Sequence, residues 1–279
     1  MTSVTRTLAS GNPYKRFVTA SSTTKAISDQ LVLAGVIAAV GIGFGLVQGP
    51  VYAPLADTIG QMFEDMPDGI LAMIGGADMS TPEGWFEGEM YSILAPLAIV
   101  SLAAWSVAKA FAGEVQDKSM GLVLAAPLTR ARIGGDKVVA MLVHILIGSL
   151  GFFLGTWLGV FVAGLDVSTS GIVAVNIHLA LLGACFGGIA MLVAVVTQRK
   201  VVAVLVAIGL AVFSYLWAGY VPLIDAIEGL AVLSPWYHYN GSSPLSNGLD
   251  WGNLVVLVLI TAGLLVASLA IFDRRDIPA

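Results

Sequence analysis

Long stretches without any charged residue alternate with short charged segments along this chain. The charge-free windows are residues 30–56, 90–108, 138–165, 167–198, 201–224, 229–249 and 251–272. A helix needs about 20 apolar residues to cross the hydrocarbon core of a bilayer. Six windows meet this requirement, and we number the predicted spans one to six. They cover residues of about 30–50, 90–110, 138–164, 172–197, 201–222 and 251–272.

The window 229–249 is the exception, because it contains Pro235, Pro244 and the turn-forming run 240–243. Proline and clustered turn residues interrupt a helix, and unpaired backbone groups are costly in open lipid. Residues 223–250 are therefore predicted to form an interfacial or re-entrant outer loop with short helices.

The composition agrees with a chain whose solvent is mostly lipid. Of its 279 residues, 57% are hydrophobic and 11% are charged, whereas a soluble domain carries about 25% charged residues. This excludes an ordinary soluble enzyme, a disordered chain and a coiled coil. The single cysteine, Cys185, excludes a disulfide framework and a cysteine-based zinc site. We predict an all-α polytopic membrane protein with a single transmembrane domain over residues 30–279.

The distribution of charges predicts the orientation of the chain. Six spans place both termini on one side, and all 13 lysine and arginine residues then fall on that side. Of the 18 acidic residues, 12 fall on the other side. Since basic residues favour the cytoplasmic side of a membrane, we predict cytoplasmic N and C termini.

Polar segments flank span one on both sides. Residues 1–29 form a cytoplasmic segment in which Tyr14 and Phe17 lie beside basic residues, which indicates an interfacial helix or else a disordered basic tail. Residues 51–89 form an acidic outer segment with helical periodicity. Its carboxylates are interpreted as a solvated face rather than a cation site. The run 80–83 (Ser-Thr-Pro-Glu) predicts a capped helix start that leads into span two.

The cytoplasmic loop 113–133 has a rim of mixed charge around an apolar run, Met120–Leu128. An apolar run of this length needs burial, so the loop is a candidate for docking a partner. The alternative is a solvated loop that obeys the charge rule.

Several of these segments together resemble the ABC-2 type exporter permeases. The resemblance rests on Ala112–Glu114, on Ala125–Arg130 followed by Lys137, on Leu233–Tyr239, and on Phe272–Ile277. It covers most of residues 50–279 and agrees with six spans. Lys118 and Gly121 depart from the family pattern.

The resemblance implies the permease subunit of an exporter in the plasma (inner) membrane of a prokaryote. The chain has no G-x-x-x-x-G-K-[ST] sequence, so ATP and magnesium are expected on a separate ATP-binding subunit, present in two copies. We expect no cofactor and no enzymatic chemistry in this chain, and we expect a second permease copy, with a homodimer favoured over a heterodimer. Membrane lipid is an expected partner and nucleic acid is not.

Three groups of candidate site residues follow. The candidates for ATPase coupling are Glu114, Asp117, Lys118, Pro127, Arg130 and Arg132. The candidates for an outer gate are Pro235, Trp236, Tyr237 and His238, with an ordinary aromatic belt as the alternative. The weaker candidates for a substrate path are His144, Asn176 and His178, with neutral histidines bonded to neighbouring carbonyls as the alternative. Nine scattered methionines do not indicate a metal path.

The expected function is ATP-driven export of a hydrophobic or amphipathic substrate such as a drug, lipid or peptide. Two other classes stay open at this point. A secondary transporter driven by an ion gradient predicts paired acids inside the spans, which the charge-free windows lack. A membrane scaffold or sensor component predicts no coupling to an ATPase.

Overall fold

The structure, a computed structural model, describes residues 23–64, 78–117 and 129–275. Within these residues it is an antiparallel bundle of six long apolar helices, which confirms the predicted number of membrane spans. The long helices are α1 (Leu31–Tyr52), α3 (Pro82–Gln116), α4 (Arg130–Ala163), α5 (Thr169–Thr197), α6 (Lys200–Tyr220) and α9 (Trp251–Arg274). The short helices are α2 (Ala56–Glu64), α7 (Pro235–Asn240) and α8 (Pro244–Asn247), with 3₁₀ turns at Val221–Leu223 and Glu228–Leu233.

Polar caps outside the apolar windows decide where several long helices begin. The Thr81 hydroxyl accepts a hydrogen bond from the Gly84 N–H at 3.1 Å, so α3 starts at Pro82 as the run 80–83 predicts. The Thr129 hydroxyl likewise accepts from the Arg132 N–H at 3.3 Å and starts α4 at Arg130. Because these caps lie beyond the apolar windows, both helices are longer than the predicted spans two and three.

Helix α5 lies at the centre of the bundle. It packs against α3, α4, α6 and α9, and its inner residues Leu179 and Phe186 are buried. Helix α3 is also largely buried, with Ile99 and Ala103 fully inside the core. These two helices therefore form the core around which the others are arranged.

Helix α1 is attached to the bundle chiefly through α4. Gly41, Gly45 and Gly49 on α1 face Gly155 and Gly159 on α4, with backbone against backbone. A Cβ atom at Gly45 would lie 2.6 Å from the backbone nitrogen of Thr156. Small residues allow this approach, which is how helices associate where lipid removes the hydrophobic driving force.

The outer helices expose apolar faces of a kind that soluble proteins bury. Val32 on α1 is 81% exposed, and Leu205 on α6 and Leu259 on α9 are exposed as well. A membrane-embedded, multi-pass protein meets lipid at such faces.

Some sequence predictions concern residues that the structure does not describe. The proposed interfacial helix around Tyr14 and Phe17 lies outside the described residues, as do 65–77 of the acidic segment and 118–128 of the loop, which include Lys118 and Pro127. Residues 23–28, just before α1, are helical.

We predict that Gly45→Ala lowers the thermal stability of the purified protein in detergent. Overpacking costs about 1–3 kcal/mol, whereas alanine in a helix gains only about 1 kcal/mol over glycine. Gly43→Ala is the matched control on the same helix, because a Cβ atom at Gly43 meets nothing within 4 Å. Equal melting temperatures for the two variants would contradict the backbone contact between α1 and α4.

Candidate coupling and exit sites

The bundle has a basic end and an acidic end. Helices α3, α5 and α9 finish at the basic end, where α4 and α6 begin. The described basic residues gather here: Lys25, Lys109, Arg130, Arg132, Lys137, Arg199, Lys200, Arg274 and Arg275. The acidic end carries the connections 78–81, 164–168 and 221–250, which contain no lysine or arginine.

At the basic end, an ion pair joins the two helices that flank the undescribed segment 118–128. The Lys137 Nζ atom on α4 lies 2.7 Å from the Glu114 Oε2 atom on α3. The Lys137 side chain is only 4% exposed, and its ammonium also lies 5.2 Å from the centre of the Phe111 ring and donates to the Ala110 carbonyl. We call Glu114 and Lys137 the α3–α4 staple.

The staple includes one predicted coupling residue, Glu114, and one that the sequence prediction left out, Lys137. A buried lysine needs a partner of opposite charge. The sequence feature that marks Lys137 is its position as the last charge before the charge-free window of span three. Ala110, whose carbonyl accepts from Lys137, lies in a π-helical segment of α3, Lys109–Gly113. Such segments alter the backbone hydrogen-bond pattern, and the lysine supplies a donor to one of their carbonyls.

The other described coupling candidates surround the staple with different degrees of exposure. The Arg132 guanidinium forms an i,i+4 ion pair with Asp136 at 3.0 Å, and its side chain is 54% exposed. Arg130 donates from Nη1 to the Arg275 carbonyl at 2.5 Å, which ties α4 to the end of α9. Asp117 is exposed at the end of α3. The structure therefore presents Asp117 and Arg132 to solvent on either side of residues 118–128.

At the acidic end, the candidate gate residues are buried or half-buried and pack against other side chains of the same chain. Trp236 is 2% exposed and packs edge-on against Tyr215 at 5.4 Å and Tyr239 at 6.0 Å between ring centres. His238 is buried between the Asn253 side-chain oxygen at 2.7 Å and the Val232 carbonyl at 2.8 Å. Pro235 and Tyr237 are half-buried. Trp236 thus joins α6 to α7 within one chain.

Two hydrogen bonds fix the short helices α7 and α8 to α3. The Tyr239 hydroxyl donates to the Tyr91 carbonyl at 2.7 Å, and the Leu245 N–H donates to the Glu87 Oε1 atom at 2.9 Å. Through its bond to the Leu245 N–H, the Glu87 carboxylate caps the start of α8 from another part of the chain. We call Glu87 and Tyr239 the acidic-end clamp.

The clamp corrects one prediction. The carboxylates of residues 51–89 were expected to face solvent, but Glu87 is only 2% exposed. Its partners lie in the loop before α9, more than 150 residues along the chain, so no local pattern identifies it. Burial also raises the pKa of the other clamp residue, Tyr239, well above its ordinary value.

The structure does not bring the three path candidates together. His144 is near the basic end, where its ring nitrogens face the Ser106 hydroxyl at 2.8 Å and the Ile27 carbonyl at 2.7 Å. His178 bonds to the Ala174 carbonyl at 2.9 Å. Both histidines are fully buried within the chain. This arrangement agrees with the alternative to a substrate path, in which the histidines bond to neighbouring carbonyls.

Asn176 belongs to a buried polar group that crosses three helices. Its Nδ2 atom donates to the Tyr91 hydroxyl at 2.9 Å and to the Ile172 carbonyl at 2.8 Å. The Tyr91 hydroxyl lies 2.9 Å from the Thr156 hydroxyl. These contacts link α3, α4 and α5 and leave Asn176 away from any open surface of the single chain.

Comparison with known proteins identifies one family. The family model described as ABC-2 family transporter protein matches residues 15–277 of the chain, nearly its whole length. No curated protein matches the sequence.

We predict that Tyr239→Phe loosens the acidic end without unfolding the bundle. The variant removes the hydrogen bond to Tyr91, which costs about 1–3 kcal/mol because the carbonyl is buried. Hydrogen exchange of the backbone amides in 235–247 should become faster. Tyr237→Phe is the control, because within the described residues the Tyr237 hydroxyl makes no hydrogen bond. Unchanged exchange in Tyr239→Phe would show that the clamp does not hold α7.

Proposed function

The chain belongs to the ABC-2 transporter family, and we propose that it is the permease subunit of an ATP-binding-cassette exporter. It would move a hydrophobic or amphipathic substrate, such as a drug, lipid or peptide, out of the cell by alternating access. We further propose that the basic end is cytoplasmic, that ATP and magnesium bind to a separate ATP-binding subunit, and that the chain itself carries out no enzymatic reaction.

The observation that carries the proposal is the geometry around residues 118–128. This segment joins Asp117 at the end of α3 to Thr129 at the start of α4, and the Glu114–Lys137 staple holds the two helices together. A push on the segment therefore acts on α3 and α4 as one unit. Exposed Asp117 and Arg132 on either side give a partner charged groups to dock against.

The assembly that this proposal requires is two permease chains with two ATP-binding subunits in a prokaryotic plasma (inner) membrane. We favour two identical permease chains. The exposed apolar faces of α1, α6 and α9 offer surface for the second permease as well as for lipid. In the described residues, the charge-free interiors of the spans contain no paired acids of the kind that an ion-driven transporter uses.

We predict that the chain co-purifies with an ATP-binding subunit and that Asp117→Lys weakens this association. Reversing one rim charge at a docking surface reduces affinity by about tenfold when it faces an opposite charge. Asp273→Lys is the matched control, since Asp273 is also acidic, exposed and at the basic end. The readouts are the stoichiometry of the co-purified ATPase and ATP-dependent uptake of labelled hydrophobic substrates into inverted vesicles.

The same experiment separates the competing functions. Uptake that persists without ATP and stops with a protonophore would identify an ion-driven transporter. Reproducible absence of an ATPase in gentle detergent, together with absence of uptake, would identify a scaffold. Equal association for Asp117→Lys and Asp273→Lys would contradict docking at residues 113–133.

We also predict that Trp236→Phe increases leak through the acidic end. The smaller ring loosens the contacts with Tyr215 and Tyr239 that hold α7 against α6. The measurement is ATP-independent efflux from preloaded vesicles, with ATPase co-purification checked separately. Trp251→Phe is the control, because Trp251 is 71% exposed at the start of α9. Equal leak in both variants would favour an ordinary aromatic belt over a gate.

A further inference from the structure

A polar cavity of about 170 Å³ lies at the basic end, between the segment before α1, the end of α3 and the start of α4. Its floor is formed by buried side chains and its rim by exposed ones. The charged and amide groups that line it include Lys25, Asp29, Gln30, Lys109, Asp117 and Lys137. The cavity therefore combines ammonium groups, carboxylates and an amide in one small space.

The charges at the edges of the apolar windows indicate the level of the cavity in the membrane. Asp29, Lys109 and Lys137 are the charges that border the charge-free windows of spans one, two and three. One turn deeper on α3, Trp105 is partly exposed and lies under the Lys200 ammonium, 5.0 Å from its ring centre. Tryptophan beside lysine is typical of the membrane interface. The cavity thus lies at the level of the lipid headgroups.

The floor of the cavity contains a donor that lacks an acceptor. Gln30 is 7% exposed, and its Nε2 atom has no hydrogen-bond partner among the described residues. Buried amide groups are almost always hydrogen-bonded, because an unpaired one loses its contacts with water without replacement. The Lys109 ammonium, which has three donors, gives one to the Asp29 carbonyl at 3.4 Å. Gln30 and Lys109 together can donate to an oxygen anion.

The rim supplies the complementary groups. The Asp29 and Asp117 carboxylates are exposed at the mouth of the cavity and can accept from an ammonium group. The Glu114 carboxylate is already bound to Lys137. A ligand that carries both an anionic oxygen group and a primary ammonium would satisfy the floor and the rim carboxylates at the same time. The exposed Lys25 ammonium also lines the cavity, so a simple anion would pair with the lysines and give no donor to the rim carboxylates.

We propose that this cavity binds the phosphoethanolamine headgroup of a membrane phospholipid. The phosphate accepts from Gln30 and Lys109, and the ammonium donates to the carboxylates at the rim. The lipid would lie beside the α3–α4 staple and connect the segment before α1 to it. This inference depends on the bundle spanning a membrane with the cavity at headgroup depth, and it does not depend on ATP-driven export.

The test measures binding of dihexanoyl phosphatidylethanolamine to the purified protein by its effect on the melting temperature in detergent. We expect a saturable increase, with weaker effects from the phosphatidylcholine analogue, whose ammonium has no N–H donors, and from the phosphatidylglycerol analogue, which has no ammonium. Soluble glycerophosphoethanolamine presents the same phosphodiester headgroup without acyl chains. It should bind much more weakly than the lipid.

Gln30→Leu should weaken the binding of the ethanolamine lipid by about tenfold, because it removes a donor to a charged group. It should not lower the melting temperature of the lipid-free protein, because the lost Nε2 donor has no partner among the described residues. Gln116→Leu, an exposed glutamine at the end of α3, is the matched control and should change neither value. If Gln30→Leu does not fold, Asp29→Asn provides a second test. It should reduce the preference for ethanolamine over glycerol lipid, whereas Asp273→Asn should not.

Several outcomes would overturn the proposal. Equal affinity for the three lipids would indicate ordinary annular lipid, and unchanged affinity in Gln30→Leu would place the binding elsewhere. Equal affinity for soluble glycerophosphoethanolamine would identify a water-soluble ligand instead of a lipid. Association with the ATP-binding subunit is measured separately, so failure of this proposal and failure of the exporter assignment can be distinguished.

Discussion

Lipid as the outer solvent is the constraint on which the rest of this structure depends. Apolar side chains gain little by moving from lipid to the protein interior, so helices must associate through close packing and internal polar contacts. The backbone contact between Gly45 on α1 and Gly155 on α4 meets this requirement directly. This contact brings backbone against backbone with few side chains between them, so it leaves α1 and α4 little room to repack against one another.

The same constraint explains the polar groups inside the bundle. The Asn176 Nδ2 atom, the Tyr91 hydroxyl and the Thr156 hydroxyl bond to one another across three helices. His144 does the same between α4, α3 and the segment before α1. Groups with these bonds add stability and hold the helices in register. An ionisable residue in a span is therefore weak evidence for a substrate path, and the exposed faces and the two ends of the bundle are better places to look.

The sequence predicts the parts of the structure that depend on local composition. Charge-free windows identify the six spans because an uncharged run of about 20 residues has few alternatives. The run 80–83 identifies a helix start because a cap acts on its own first turn. By contrast, Glu87 looks like any other acid of residues 51–89, since its burial depends on Leu245, which is far along the chain. Lys137 escapes attention for the same reason, because its pairing with Glu114 is a tertiary contact.

Helix α3 connects the two ends at which these tertiary contacts occur. Its π-helical segment Glu87–Tyr91 supplies both partners of α7 and α8, the Glu87 carboxylate and the Tyr91 carbonyl. Its second π-helical segment, Lys109–Gly113, supplies the Ala110 carbonyl, and Glu114 follows at once. The α3 chain joins the staple to the clamp directly, with a turn at Ser92 and Ile93 next to the clamp, so displacement of α3 at the staple reaches the clamp through this turn. In an exporter this would let a push beside residue 117 release or tighten α7 and α8. The two π-helical segments then have a common physical role, since each presents backbone carbonyls or acids to another part of the chain near one end of α3.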